Sequence, residues 1–403
     1  MYKLLFWRTG SPSLYLLCQC RFGFAYEQKF SLVNVKLKWV KDNALDAVVA
    51  REKDLRATCH LVSIIASDPN CCLPIYQLNR HRGQLGLPPD LKVSTFIRRY
   101  PTLFHEYPVV VGDGCSSVPW FRLTDEALKL HQEELYILQQ NEKNLVERLQ
   151  KLLMLTRDRT LPLQTIDQLK WDLGLPNDYH HSLVPRYPQL FLLVRLVDDR
   201  IGLKLLQWDD RLAVSQLQNS AVAAAEDSKE QEQGVQRLSF PIGFTRGFGL
   251  KRKCMEWLEE WQRLPYTSPY VYASHLDPRT DVSEKRIVGV FHELLHLTLQ
   301  KKTERKNVSN IRKPLCLPQK FTKVFGRHPG IFYISQKCST QTVILREAYC
   351  HQELLQKHPL VGIRERYADM MKTGLLNRSR GLCKKFISHS QEEEDDESIH
   401  FPC

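Results

Sequence analysis

The sequence predicts an α+β chain, mostly helical, carrying three winged-helix-like units in which short helices are followed by a β-hairpin. Three observations predict this. A degenerate repeat occurs three times: LPPDLKVSTFIRRYPTLF at residues 87–104, LPNDYHHSLVPRYPQLF at 175–191 and LPQKFTKVFGRHPGIF at 317–332. Each copy runs from Leu-Pro through a short helical stretch to a basic residue, an aromatic or His, a Pro, and an apolar pair ending in Phe. Each copy then continues into alternating apolar residues around a turn, most clearly LFLLVRL, Asp198-Asp199, RIGLKLL, which is the pattern of a hairpin. Between the copies, apolar residues recur at helical spacing.

Taken in order, residues 42–66 predict an amphipathic helix through Leu45, Val48, Val49, Leu55, Leu61, Val62, Ile64 and Ile65, with Asp42 or Asn43 as cap. The first repeat leads into LFHEYPVVV, the turn Gly112-Asp113-Gly114 and WFRLT. Residues 124–155 predict a long helix capped by Thr124, with Ala127, Leu128, Leu135, Leu138, Leu145, Leu149 and Leu152 on one side. After the second repeat, residues 219–236 are small and charged without a core pattern, as a linker is. Residues 254–262 predict a helix with Trp257 and Trp261 four apart, and 283–303 another. The third repeat continues as FYISQK, CST, QTVILR, and residues 374–403, with six consecutive acids from Glu392 to Glu397, predict a disordered acidic tail.

The chain has 403 residues, 43% of them hydrophobic, enough for a sizeable core. Its net charge of +12 favours a polyanionic partner. No run of about 18 apolar residues predicts a membrane-spanning helix. The twelve cysteines form no paired C-x-x-C pattern, so neither a disulfide framework nor a zinc site is expected from them. Residues 1–26 carry Lys3, Arg8 and Arg21 and no acid, the composition of an organellar transit peptide, here bounded at residues 1–32. The stretch is not especially rich in Ser, which favours the mitochondrion over the chloroplast.

Several segments together carry a family resemblance. VKLKWVKDNALDAVVAREKDLRATCHLVSIIAS, FIRRYPTLF, the LPNDYHHSLVPRYPQLF block, RIVGVFHELLHLTLQKKTERKN, HPGIFYIS and HPLVGIRERY, in this order and spacing over roughly residues 34–370, resemble the plant organelle RNA recognition (PORR) domain. The chain departs from the usual pattern at His296, where that helix often carries a small polar residue. On this reading residues 33–218 hold the first two units, 219–236 a linker and 237–373 the third unit. The resemblance implies a protein imported into mitochondria or chloroplasts that binds organellar RNA and promotes group II intron splicing. It implies no catalytic residue and no cofactor. An mTERF-like helical repeat protein is the alternative within the same broad class. It would need a regular period near 30 residues, whereas Pro101, Pro188 and Pro329 lie 87 and 141 residues apart.

The candidate RNA-binding residues are basic. Lys301, Lys302, Arg305, Lys306, Arg312, Lys313, Lys320, Lys323 and Arg327 face a single acid, Glu304, and can neutralise several phosphates from an expected surface position. Arg98, Arg99 and Arg186 recur, with Arg327, before the repeat prolines, where they either reach nucleic acid or cap a helix end. The recurring Tyr100, Tyr187, Phe104, Phe191 and Phe332 are expected in the core rather than stacked on bases. The enzyme alternative is a zinc hydrolase: His292-Glu293-Leu294-Leu295-His296 matches H-E-x-x-H, which places both imidazoles on one helix face. Leu299 and Lys302 break the metzincin continuation. The next acid after Glu304 is Glu347, beyond a strongly basic stretch, so no third ligand and no bound metal are expected. Leu294, Leu295, Leu297 and Leu299 are expected to pack inward. GFTRGFG, with Gly243, Gly247 and Gly249, lacks dinucleotide-binding spacing and is read as a loop.

Overall fold

The computed structural model describes residues 37–379 apart from residues 53, 112–115, 228–237, 245–247 and 249–250. The expected transit peptide, most of the linker and nearly all of the acidic tail lie outside the described residues.

After helix α1 (Asn43–Arg51), the first unit comprises α2 (Leu55–Ala66), β1 (Cys72–Pro74), α3 (Ile75–Arg80), α4 (Arg82–Leu85), α5 (Val93–Ile97), β2 (Phe104–Val111) and β3 (Ser116–Leu123). Helix α6 (Asp125–Gln140) leads to the second unit: α7 (Glu142–Met154), β4 (Thr160–Pro162), α8 (Leu163–Leu173), α9 (Tyr179–Ser182), β5 (Phe191–Arg195) and β6 (Ile201–Leu205). Helices α10 (Gln216–Asp227) and α11 (Arg252–Arg263) precede the third: α12 (Asp281–Leu297), β7 (Lys302–Glu304), α13 (Arg305–Asn310), α14 (Lys323–Arg327), β8 (Phe332–Ser335) and β9 (Thr342–Leu345). A two-stranded ribbon, β10 (Tyr349–Cys350) with β11 (Glu353–Leu354), and the long helix α15 (Pro359–Ser379) complete the described chain.

The three units share one antiparallel topology, β1-β3-β2, β4-β6-β5 and β7-β9-β8, with the hairpin closed by a short strand from before the helices. The repeat extends to single backbone groups. The residue before the short strand is left-handed in all three, Cys71 (φ 49°), Arg159 (φ 52°) and Lys301 (φ 51°), and its carbonyl accepts from the end of the last strand, Leu123, Leu205 and Leu345. The amides of Phe104, Phe191 and Phe332 donate to the carbonyls of Tyr100, Tyr187 and His328. Burial of these three Phe side chains and of Tyr100 puts those aromatics in the core, as expected, whereas Tyr187 is half-buried against it.

A second left-handed position precedes each Leu-Pro: Gly86 (φ 65°), Gly174 (φ 77°) and Cys316 (φ 53°). At Gly174 a Cβ would lie 2.5 Å from Leu299 Cδ1, so no other residue fits without movement. Cys316 meets the same backbone demand with a side chain, at a cost of about 1–2 kcal/mol, partly offset by the lower freedom of the unfolded chain. C316G is expected to stabilise the fold by up to about 1 kcal/mol, read as a higher urea midpoint at unchanged slope. A lower midpoint would show that the Cys316 side chain contributes more than its conformation costs.

Several sequence expectations are corrected here. The helix expected over 42–66 is two helices, broken where Asp54 turns left-handed (φ 65°). The helix expected over 124–155 is also two, turning at Asn141. The helix over 283–303 stops at Leu297: Thr298 is extended, and Lys302–Glu304 pair with β9. The first residues read as linker belong to α10, and the tail's first residues, to Ser379, continue α15.

One core cluster joins the second and third units, running from Leu149 and Leu161 through Phe291, Leu294 and Leu345. A second cluster fills the first unit and takes in Ile363, Tyr367 and Met371 of α15. The ends of the described chain therefore brace opposite units. α15 packs on the first, while Leu45 and Val49 of α1 cover Tyr333 and Ile344 on the outer face of the third sheet. All four residues of β9 are consequently buried. Among the described residues the second hairpin has no such cover, and Leu192, Leu193 and Ile201 are exposed.

Candidate nucleic-acid interface

The basic stretch after α12 divides by burial into two groups with different work. Lys301 is buried, and its Nζ donates to the carbonyls of His296 (2.6 Å) and Thr298 (3.2 Å). Arg148 Nη1 donates to the Leu297 carbonyl at 2.6 Å. These cations satisfy the carbonyls that the end of α12 leaves without helical partners. Burial, reinforced by the charge of Arg148, brings the Lys301 ammonium down to about 7. Lys302 is equally buried and pairs with Glu52 Oε2 at 2.6 Å, tying β7 to the end of α1. The surface position expected for Lys301 and Lys302 is therefore wrong. The left-handed turn at Lys301 and the short strand β7 that follows carry the two side chains inward, and the sequence pattern did not reveal either feature.

Arg305 is half-buried and holds Gln341 Oε1 (2.5 Å) and Thr322 Oγ1 (3.2 Å), linking α13 to the start of α14. Arg312, also half-buried, reaches the Leu317 carbonyl at 3.5 Å. Lys306 is exposed and pairs with Glu304 at 2.7 Å, a solvent-facing contact of small energetic weight. Lys313, Lys320 and Lys323 are exposed, and no ion pair or hydrogen bond of their side chains occurs among the described residues. They lie on the connection from α13 to α14 and on the first residue of α14, the last helix before the third hairpin.

The arginines before the repeat prolines are drawn into their own units. Arg98 pairs with Glu106 at 2.5 Å, and Arg186 with Glu142 at 2.5 Å while its Nε donates to the Ser182 carbonyl at 2.7 Å. Arg327 pairs with Glu284 at 2.6 Å. Arg99 is half-buried beside them. Of the two roles considered, the geometry favours fastening the end of the last helix of each unit.

The H-E-x-x-H residues sit on α12, whose Leu294, Leu295 and Leu297, with Leu299 beyond its end, pack inward as expected. The structure corrects the expected absence of a third ligand. Glu347, on the turn after β9, places one oxygen, Oε1, 2.7 Å from His292 Nε2 and 2.7 Å from His296 Nε2. Burial alone would raise the Glu347 carboxyl; its bonds to the two imidazoles outweigh that and bring it down to about 2. Burial lowers His296. Glu293, the base a hydrolase of this type requires, is fully engaged elsewhere. Its Oε1 accepts from the Tyr270 hydroxyl (2.7 Å) and Lys151 (2.8 Å), and its Oε2 from the Gln216 amide (2.6 Å). A carboxylate so held is committed to those three donors rather than to the histidine face.

The family profile described as plant organelle RNA recognition domain matches residues 40–376, which include all three units and most of α15. The chain belongs to this family. As a PORR protein it is an organellar RNA-binding protein. It is 37% identical over 362 residues to Protein WHAT'S THIS FACTOR 9, mitochondrial, of Arabidopsis thaliana, a match covering 88% of this chain and 89% of that protein. It is 32% identical to Protein WHAT'S THIS FACTOR 1 homolog, chloroplastic, of Oryza sativa subsp. japonica, covering 89% and 72%. It is 29% identical to Protein ROOT PRIMORDIUM DEFECTIVE 1 of Arabidopsis thaliana, covering 82% of each chain. No solved structure matches it. The PORR domain is thus built here from three winged-helix-like units, and Lys313, Lys320 and Lys323, exposed and without side-chain partners among the described residues, lie on the third.

Proposed function

We propose that this PORR protein binds group II intron RNA in the plant mitochondrion and promotes splicing without performing the chemistry. The observation that carries the reading is the set Lys313, Lys320 and Lys323, exposed and without partners among the described residues, with Lys306 beside them, in a family that recognises organellar RNA. Lysines held on a rigid unit contact phosphates in a fixed arrangement, so binding reads RNA shape as well as charge. Intron splicing rests on the family resemblance. The mitochondrion is favoured by the relative named mitochondrial and by the acid-free start of the chain, while relatives named chloroplastic make the plastid the alternative. Group II introns carry their own active site, so the protein need only favour the folded RNA.

The test is to sequence RNA recovered with the tagged protein from plant mitochondria. Enrichment of one or a few group II introns, with unspliced precursor accumulating when the protein is removed, is the expected result. Recovery of messenger or ribosomal RNA without intron enrichment would overturn the splicing assignment.

A further inference from the structure

We propose that His292, His296 and Glu347 form a binding site for a divalent transition-metal cation of the zinc class, which fastens α12 to the turn that follows β9. Two imidazoles and a carboxylate are a donor set that holds zinc. The imidazoles lie one helical turn apart on the same face, and both Nε2 atoms converge on a single oxygen of Glu347. The three donor atoms lie within 4.8 Å of one another.

Hydrogen bonding alone accounts poorly for this arrangement. Both imidazole nitrogens are spent on Glu347 Oε1, while Oε2 of the same carboxylate is buried without a partner. Buried polar atoms rarely go unsatisfied, and an orphaned oxygen beside two convergent imidazoles marks a place for a cation. The nitrogen–oxygen separations of 2.7 Å are shorter than the roughly 3.3 Å edge of a tetrahedron with zinc–nitrogen bonds of about 2.0 Å. Small side-chain rotations open the trio by that amount and bring the second carboxylate oxygen within reach. His292 is 2% exposed, so bulk water competes little for the site. The buried ammonium of Lys301 is turned to the carbonyls at the end of α12.

No fourth His, Cys, Asp or Glu joins the group among the described residues, so water completes the coordination. With Glu293 sequestered that water has no base, and the role is structural. The neighbours of the turn fit such a role. Arg346, adjacent to Glu347, pairs with Asp42 at 2.9 Å and donates to the Pro329 carbonyl at 2.7 Å, and the Tyr349 hydroxyl donates to the Gln300 carbonyl at 2.5 Å. A cation on the trio would secure the junction where α1, α12 and the third sheet meet.

The experiment loads the full chain with zinc, removes free ion by gel filtration and measures metal content. Cobalt is then substituted to read coordination geometry. One zinc per chain, the visible absorption of tetrahedral cobalt, and loss of both in H296S and E347Q with unchanged circular dichroism are expected. Wild-type protein that retains no zinc overturns the site, leaving a hydrogen-bonded trio. Equal zinc in the wild type and both variants also overturns it, because the ion then sits elsewhere. Should a variant fail to fold, the wild type decides alone: chelation is expected to lower Tm and abolish the cobalt spectrum, and a Tm indifferent to chelation with no tetrahedral spectrum contradicts the proposal.

Discussion

Lys302→Ala is expected to destabilise the fold by roughly 3–5 kcal/mol, the range for removing one partner of a buried ion pair. Lys302 reaches Glu52 from β7, the strand that closes the third sheet, and Glu52 lies at the end of α1. Gln300 also donates to Glu52, and its carbonyl accepts from Tyr349, so the carboxylate belongs to a small buried network. Removing the lysine leaves that carboxylate with one neutral donor among the described residues and only partial access of water to replace the ammonium. Removing Glu52 as well is expected to restore part of the loss, since no charge is then left unpaired. Urea unfolding of the two single variants and the double variant measures this coupling. Purely additive losses would show that the pair contributes nothing as a pair. RNA binding by folded K302A is expected to match the wild type.

The triple variant K313A/K320A/K323A is expected to behave in the opposite way. These side chains are exposed and bond to nothing among the described residues, so stability should change by less than about 0.5 kcal/mol. RNA affinity at moderate salt is expected to fall on the order of tenfold to a hundredfold, because each phosphate contact releases counterions. Three lost contacts should flatten the log–log salt dependence by about two to three units. Affinity measured across a salt series for wild type and variant gives both quantities. An unchanged slope in a folded variant would place the phosphate contacts on another surface.

The contrast between these variants also marks what the sequence could and could not reveal. The three units were legible because their signals are local: Leu-Pro starts, aromatic-Pro stops, and alternating strands around turns such as Asp198-Asp199. The short strands β1, β4 and β7 were not. Three residues such as Lys302–Glu304 carry no periodicity, and they become strands only through pairing with partners about forty to fifty residues away. The division of the basic stretch into buried and exposed lysines was hidden for the same reason, since a cation's burial depends on partners as remote in sequence as Glu52. Helix breaks at Asp54 and Asn141 were missed because the apolar stripe continues across them. Glu347 was visible as the next acid after Glu304, but only the return of β9 alongside α12 carries it to the two histidines.

Ultraviolet crosslinking of the protein to its RNA in plant mitochondria, followed by mapping of the crosslinked peptides, tests the central claim most directly. The account predicts crosslinks concentrated in residues 305–327 of the third unit, with few in the paired arginine segments around Arg98 and Arg186. Crosslinks confined to the first or second unit, with residues 305–327 clear, would contradict it.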